Sequence, residues 1–246
     1  MIQACLNGGR TVDEHPEVPV TPSRLAAEAR AARAAGARSV HLHPRDAAGR
    51  ESLDVAVVED AVRAVRRACP GLPVGVSTGL WMCEGDAGAR QAAVEAWGAM
   101  TVRPDFASVN VGEPGFEKLT EVLTGWGVGV EAGVWSEEDA ARLLAGPYAA
   151  SCLRVLVEMI GLPPAEALST ADRVLELLAR AQARVPILLH GEDESTWPVL
   201  DRALALGLET RIGLEDTLTD PQGRRVDGNA ALVRIAFSRA SAVGRA

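Results

Sequence analysis

His41 and His43, separated by a single residue, are the first side chains in this sequence whose type and spacing indicate chemistry. Side chains alternate along an extended strand, so both imidazoles would project to one side while Leu42 faces the other. Two imidazoles arranged in this way suit zinc and other late divalent metals. The alternative is a pair of hydrogen-bonding core histidines, which requires two of only four histidines to fall together by packing alone. The spacing favours a metal-chelating pair.

Glu215, in the segment RIGLED, is the best candidate for a third metal ligand. It ends the last predicted strand, and in a closed barrel only one strand separates that strand from the one carrying His41 and His43. Three protein ligands leave a position for water or substrate, which is typical of catalytic rather than structural zinc. His190 competes for a third or fourth ligand position, although a lone histidine is more often a hydrogen-bonding pocket residue.

Arg211 and Asp216 add a second pair of charges beside Glu215. Arg211 would hold Asp216 ionised and oriented, so that Asp216 serves as a general base near a carbonyl polarised by the metal. The alternative is a structural ion pair between the two residues at the rim of a barrel. Their position beside a predicted metal site favours the catalytic interpretation.

Short apolar runs alternate with amphipathic stretches rich in Ala, Leu and Arg, which is typical of a parallel sheet covered by helices. Two helix starts are marked by their own signals, because Thr21 precedes Pro22 and Ser136 precedes three acidic residues. The alternation predicts eight strands, at residues 2–6, 39–43, 73–77, 106–111, 127–131, 153–158, 185–190 and 210–215.

The positions of the polar residues distinguish a closed barrel from an open sheet. An open sheet would concentrate its functional side chains at one switch point, whereas a barrel carries them at the ends of many strands. We therefore predict an α/β protein with one (β/α)8 TIM barrel domain over residues 1–246. The polar side chains at or just past the predicted strands are Asn7, His43, Ser77, Asn110, Glu131, Glu158, His190 and Glu215.

Composition excludes several classes of protein. With 246 residues, 48% of them hydrophobic and 24% charged, the chain can bury a full globular core. The net charge of −8 argues against nucleic acid and anionic membranes as partners. No apolar run reaches the roughly 18 residues of a spanning helix, and no basic stretch followed by an apolar one opens the chain, so we expect a cytoplasmic protein. The four cysteines form no C-x-x-C pair and are expected to be reduced.

Several segments together resemble the β-keto acid cleavage enzymes, the family best known through 3-keto-5-aminohexanoate cleavage. These segments are HLHPRD at 41–46, VSTG at 76–79, SVNVG at 108–112 and RIGLED at 211–216 followed by Asn229. HLHPRD and RIGLED are the specific motifs, and the resemblance extends over nearly the whole chain, from ACLNGGR to GNAALV.

The resemblance implies a zinc-dependent reaction in which a β-keto acid and acetyl-CoA become acetoacetate and a new acyl-CoA. It matches His41, His43 and Glu215 to the zinc ligands, and it matches Arg211 and Asp216 to the pair that deprotonates the keto acid. It also matches Glu131 to a position that orients water or an intermediate. Homo-oligomers are common among barrels of this kind. The residues matched to the binding of the substrate carboxylate and carbonyl are Ser77, Ser108 and Asn110.

The sequence also departs from the family pattern. It is short, with little sequence between the fourth and fifth strands, so we expect a reduced CoA cleft and weak affinity for acetyl-CoA. Two alternatives remain open: a metal-dependent aldolase or hydrolase of small oxo acids that needs no CoA, and a non-catalytic metal-binding or ligand-binding barrel. The candidates for contacts with the variable part of the keto acid are Arg10, Glu113, Trp135, Glu158 and His190.

Overall fold

The computed structural model describes residues 1–244 and contains eight parallel strands that alternate with eight α-helices. The strands are β1 (Ile2–Cys5), β2 (Ser39–Leu42), β3 (Val74–Ser77), β4 (Phe106–Asn110), β5 (Gly129–Val134), β6 (Arg154–Met159), β7 (Ile187–Gly191) and β8 (Thr210–Ile212). The helices are α1 (Pro22–Ala34), α2 (Val55–Ala68), α3 (Ala87–Glu95), α4 (Phe116–Gly125), α5 (Glu137–Ala145), α6 (Pro164–Arg180), α7 (Thr196–Ala205) and α8 (Asn229–Val243).

The strands pair in the order β7-β6-β5-β4-β3-β2-β1-β8, and every ladder is parallel. A parallel bridge between Leu188 and Glu209, with a Leu189 N–H to Glu209 O bond of 2.9 Å, joins β7 to the start of β8 and brings the two edges together. Gln3 on β1 donates to the Glu131 carboxylate on β5 at 2.9 Å, which spans the interior of the ring. The predicted (β/α)8 barrel is confirmed.

Local sequence explains where the helices begin. The hydroxyl of Thr21 accepts the backbone N–H of Arg24 at 3.3 Å before the proline that opens α1. Ser136 caps α5 in the same way by accepting the N–H of Asp139 at 3.1 Å. Both predicted helix starts are confirmed. Within residues 1–244, no helix combines the length and apolarity required to cross a bilayer.

The predicted end of the fifth strand is wrong. The strand was expected to stop at Glu131, but β5 continues to Val134, so Glu131 lies inside the strand, paired in register with Ser108 and Arg154. The segment GVGVEAGV alternates glycine with apolar residues on both sides of Glu131, and the pattern therefore contains no signal that ends the strand there.

Candidate active site

His41, His43 and Glu215 converge at the carboxyl end of the barrel. Their candidate ligand atoms all lie within 4.8 Å of one another, and the two imidazole centroids are 5.2 Å apart. His41 Nδ1 and Glu215 Oε2 are buried and have no hydrogen-bond partner in the described chain. Buried polar atoms of this kind are costly unless a ligand satisfies them. Two imidazoles and one carboxylate form a donor set that fits zinc with a position left open.

Asparagine side chains fix the loops that carry these groups. Asn7, just after β1, accepts the backbone N–H of His43 at 2.9 Å and donates to its carbonyl at 2.8 Å. Asn229, at the start of α8, accepts the N–H of Leu214 at 2.8 Å and donates to the carbonyl of Leu6 at 3.0 Å. The Asn7 amide links the end of β1 to the segment of His43, and the Asn229 amide links it to the segment just before Glu215. Side-chain hydrogen bonds therefore set the spacing between the segments that carry the three convergent residues.

Glycines allow Glu215 to reach its position. A Cβ at Gly8 would lie 2.3 Å from Glu215 Cγ, and Gly8 has a φ of +50°. A Cβ at Gly213 would lie 1.8 Å from the carbonyl oxygen of Cys5. Such distances are far inside van der Waals contact, so a side chain at either position would displace the end of β8 or the β1 loop.

Glu51 contacts one of the candidate ligands, and the sequence did not predict this contact. It lies in the loop between β2 and α2, and its carboxylate forms a short contact with His43 Nδ1. A carboxylate behind a metal-binding histidine orients the ring and fixes which nitrogen faces the metal. Burial would lower the pKa of His43, but the carboxylates of Glu215 and Glu51 raise it to about 9. Burial lowers the pKa of His41 to about 3, so that ring is uncharged and can offer an electron pair to a metal ion.

Arg211 connects the group formed by His41, His43 and Glu215 to Asp216. Its Nη2 atom donates to Glu215 Oε1 at 2.8 Å, and its Nε atom donates to Asp216 Oδ1 at 3.1 Å. Burial opposes the charge on the guanidinium, yet the surrounding carboxylates raise the pKa of Arg211 well above its ordinary value. The second oxygen of Asp216, Oδ2, is buried without a partner in the described residues. Arg211 therefore orients Asp216 and leaves one carboxylate oxygen unused.

His190 belongs to this charge network and lies outside the convergent trio. Its Nε2 atom is 3.0 Å from Glu158 Oε2, and its Nδ1 atom is 3.4 Å from Asp216 Oδ1, so carboxylates face both ring nitrogens. Burial would raise the pKa of Glu158, but His190, Arg211 and Trp135 together lower it. Glu158 is thus held as an anion, with His190 between it and Asp216.

A cavity of about 300 Å³ opens above these groups. Asp216, which is only 1% exposed, lies behind Arg211 and does not contribute to the wall, whereas Glu158 does. Of the five residues expected to contact the variable part of the keto acid, Arg10, Trp135 and Glu158 line the cavity, while His190 and Glu113 lie outside its wall. Its wall consists of Gly9, Arg10, Glu14, His43, Trp81, Trp135, Glu158, Ile160, Glu192, Arg211 and Glu215.

Ser77, Ser108 and Asn110 stand near the ends of β3 and β4, as expected, but outside the wall of this cavity. Ser77 Oγ accepts the N–H of Gly79 at 3.3 Å, and Asn110 Nδ2 donates to Glu113 Oε1 at 2.9 Å. Asn110 also lies close to Glu158, because a Cβ on the intervening glycine of β5 would touch both side chains. Their role in substrate binding stays a prediction.

Glu131 lies deeper in the barrel. Its Oε1 atom contacts Gln3 Nε2 at 2.9 Å and Arg154 Nε at 3.1 Å, and its side chain is fully buried. Burial raises its pKa, and the charge of Arg154 partly offsets that effect. Glu131 does not touch the cavity wall described above, and its proposed action on water or an intermediate stays a prediction.

Gly8→Ala is expected to weaken metal binding by about tenfold or more. The left-handed backbone alone costs a non-glycine residue about 1 kcal/mol. The larger effect is steric, because the new methyl group would push Glu215 away from the two histidines. Gly9→Ala is the matched control, since a Cβ at Gly9 meets nothing within 4 Å. Zinc titration of both variants with a competing chelator measures the difference, and equal affinities would contradict this account of Gly8.

Comparison with known proteins agrees with the resemblance seen in the motifs. The chain is 36% identical over 80 residues to the 3-keto-5-aminohexanoate cleavage enzyme of Fusobacterium nucleatum subsp. nucleatum, a segment covering 32% of this chain and 29% of that protein. It is 34% identical over 103 residues to the 3-oxoadipate:acetyl-CoA acetyltransferase of Cupriavidus necator, covering 42% of this chain and 34% of that protein. The matched segments thus span about a third of each relative's length.

Solved structures support the fold. ObcA, in a ternary complex with a C4-CoA adduct and oxalate, superimposes with a TM-score of 0.71 at 20% identity, covering 94% of this chain and 64% of ObcA. The model of the beta-keto acid cleavage enzyme family matches residues 1–145 and 141–246, which together include every residue of the sequence. The chain therefore belongs to the beta-keto acid cleavage enzyme family.

Proposed function

We propose that this protein is a zinc-dependent enzyme that converts a β-keto acid and acetyl-CoA into acetoacetate and a new acyl-CoA. The observation that carries the proposal is the convergence of His41, His43 and Glu215 beside a cavity whose wall also includes Arg211 and Glu158. Family membership supports the reaction class, and one relative is named as an acetyl-CoA acetyltransferase.

Zinc held by His41, His43 and Glu215 would supply a Lewis acid beside the oxygens of the keto acid. Arg211 neutralises part of the surrounding negative charge and fixes the carboxylates next to it. Trp81 stacks on His43 with an interplanar angle of 24°, and its indole covers one side of the cavity. These groups would orient the keto acid and limit the access of water to it.

Asp216 is our candidate for the base that removes a proton from the carbon between the two carbonyl groups of the keto acid. Its unpartnered Oδ2 atom can accept that proton, while Arg211 holds Oδ1. Glu158 is the second candidate because it lines the cavity directly and is kept ionised by His190 and Arg211.

The carbanion formed in this way would attack the thioester carbonyl of acetyl-CoA and expel the CoA thiolate. The thiolate would then add to the original keto carbonyl, and the bond between that carbon and the deprotonated carbon would break. The new acyl-CoA leaves in this step, and the acetoacetate carbanion takes back the proton from the base.

Acetyl-CoA would reach the reacting carbon from a second cavity of about 740 Å³. Trp81 lines both cavities, and Glu51 lies in the wall of the second. Arg45, also in that wall, donates to the backbone carbonyls of Arg10 and Gly49 at 3.0 and 3.2 Å. It also donates to the carbonyl of Gly8 and forms no ion pair with a carboxylate in the described residues. Burial would raise the pKa of Glu51, but its hydrogen bonds and nearby positive charge, including that of Arg45, lower it. The part of the Arg45 charge not offset by Glu51 would therefore attract a phosphate group.

The test is a panel of β-keto acids incubated with acetyl-CoA and the zinc-loaded protein, with CoA esters followed by mass spectrometry. We expect a new acyl-CoA and acetoacetate to form in equal amounts. Release of products from a keto acid without acetyl-CoA would instead support the CoA-independent aldolase or hydrolase. Absence of any conversion across the panel would contradict the proposal and favour a binding protein.

A further inference from the structure

Trp81 lies in the walls of both cavities described above, the one of about 300 Å³ beside His43 and the second one of about 740 Å³. Within residues 1–244, the two walls have no other residue in common. The position of this one indole therefore decides whether the two spaces are separate or joined. The proposed reaction depends on that position, because the keto acid binds in one space and acetyl-CoA approaches from the other.

Few contacts hold the indole in place. Trp81 belongs to a short 3-10 helix at Leu80–Cys83, and its side chain is 48% exposed. The ring folds back over Gly79, where a Cβ would lie 2.1 Å from its Cη2 atom. One face stacks on His43 with a centroid distance of 6.3 Å, and Nε1 donates to Glu51 Oε2 at 3.2 Å. Because much of the ring faces solvent, the hydrogen bond to Glu51 is its main directional restraint.

Glu51 uses its two carboxylate oxygens for two different partners. Oε1 forms the close contact with His43 Nδ1, and Oε2 accepts the indole N–H of Trp81. The backbone of Glu51 is itself fixed by an antiparallel bridge to Arg45. His43 lies in the wall of the first cavity and Glu51 in the wall of the second. Glu51 is thus the direct link between a candidate metal ligand and the wall that the cavities share.

A metal ion on His43 would fix this link. The Nε2 atom of His43 faces Glu215, at 3.5 Å from Oε1, so Nε2 is the nitrogen directed at the candidate metal site. When Nε2 binds a metal, the ring proton stays on Nδ1 and is donated to Glu51. Without a metal, the neutral ring can carry its proton on either nitrogen, and the hold on Glu51 is weaker. Glu51 and the indole bonded to it are therefore best ordered when the metal is bound.

We propose that Glu51 is a positioning residue that couples the metal site to Trp81, so that zinc loading fixes the indole as a partition between the two cavities. The inference rests on the proposed function, which assigns the keto acid and acetyl-CoA to these cavities. Coupling of this kind is reciprocal, so the contact between Glu51 and Trp81 also strengthens zinc binding.

A double-mutant cycle for zinc affinity tests the coupling. Glu51→Gln leaves one acceptor oxygen, which cannot serve His43 and Trp81 as the carboxylate does, and Trp81→Phe keeps a ring over His43 without an N–H. Titration with a competing chelator should show zinc binding weakened about tenfold or more by Glu51→Gln. Trp81→Phe alone should weaken it about threefold, and should weaken it no further in the Glu51→Gln background. Additive losses would overturn the inference.

Tryptophan emission gives a second readout that needs no turnover. The chain contains five tryptophans, and we expect zinc loading to change the emission of Trp81. The change should be absent from Trp81→Phe and mostly lost from zinc-saturated Glu51→Gln. Trp135→Phe is the matched control, because Trp135 is 41% exposed and its Nε1 donates to Glu158 at 3.1 Å. This control should keep the change. A change that persists in Trp81→Phe, or that disappears from Trp135→Phe, would contradict our assignment.

Glu84→Gln controls for charge, since it removes a carboxylate from an exposed position in the wall of the second cavity. It should bind zinc as the parent protein does, and a loss equal to that of Glu51→Gln would overturn the inference. Turnover is scored separately. Exchange of keto acids together with an additive cycle would remove this inference and leave the proposed function standing. A non-additive cycle with no exchange of any keto acid would do the reverse.

Discussion

The variant with both His41→Ala and His43→Ala is expected to purify with almost no zinc, compared with about one zinc per chain in the parent protein. It should also lose the exchange of β-keto acids with acetyl-CoA. The two imidazoles supply two of the three convergent ligands, and Glu215 alone would bind a divalent ion weakly. Elemental analysis of the purified protein gives the metal content directly.

This loss should occur without unfolding. His41 contributes an unpartnered buried nitrogen. His43 loses contacts with Glu51 and Glu215, of which Glu51 keeps a hydrogen bond from Trp81 and Glu215 keeps one from Arg211.

His15→Gln is a suitable control, because His15 is a buried histidine outside the group of three candidate ligands. Its Nε2 atom contacts the carbonyl of Val226 at 2.9 Å. The control should retain its zinc. Full retention of zinc in the double variant would remove the basis for the metal site.

Asp216→Asn is expected to lower the catalytic rate by about 100-fold or more while leaving zinc content and thermal stability nearly unchanged. The asparagine keeps an oxygen for Arg211 but can no longer take a proton from the substrate. Glu158→Gln is the informative comparison, since Glu158 faces the cavity and Asp216 lies behind its wall. Steady-state kinetics of both variants, with metal analysis of the same samples, would separate the roles.

Three outcomes would change the assignment. A larger loss in Glu158→Gln than in Asp216→Asn would make Glu158 the base. Loss of zinc in Asp216→Asn would make Asp216 a ligand, and its role and that of Glu215 would then be exchanged. Equal activity in both variants and the parent protein would contradict base catalysis by either carboxylate.

Sequence reasoning predicted the convergence of His41, His43 and Glu215 because two simple rules determine where these residues lie. Strand alternation places His41 and His43 on one side, and barrel closure brings Glu215 next to them. These rules did not predict the end of the strand that carries Glu131, because a run that alternates glycine with apolar residues contains no signal that ends a strand.

Residues supplied by loops could not be placed in advance. Glu51 approaches His43 only because the loop after β2 folds back, with a bridge between Arg45 and Glu51. Glu113 is directed toward Leu80 and Arg90 by contacts between two different loops and α3. Such paths depend on tertiary packing rather than on periodicity. No local pattern marked Glu51, and Glu113 was named only as a candidate contact of the substrate.

The separation of the ligands along the chain has a consequence for folding. His41 lies on the second strand, His43 directly follows it and Glu215 follows the eighth, so the three groups meet only after the last strand has docked against the first. Contacts between such distant segments form late and slowly. A metal ion that binds all three groups therefore binds only the closed ring, and by mass action it shifts the equilibrium from open, partly folded forms toward that state. Zinc concentration during refolding would then control the yield of native protein as well as its activity.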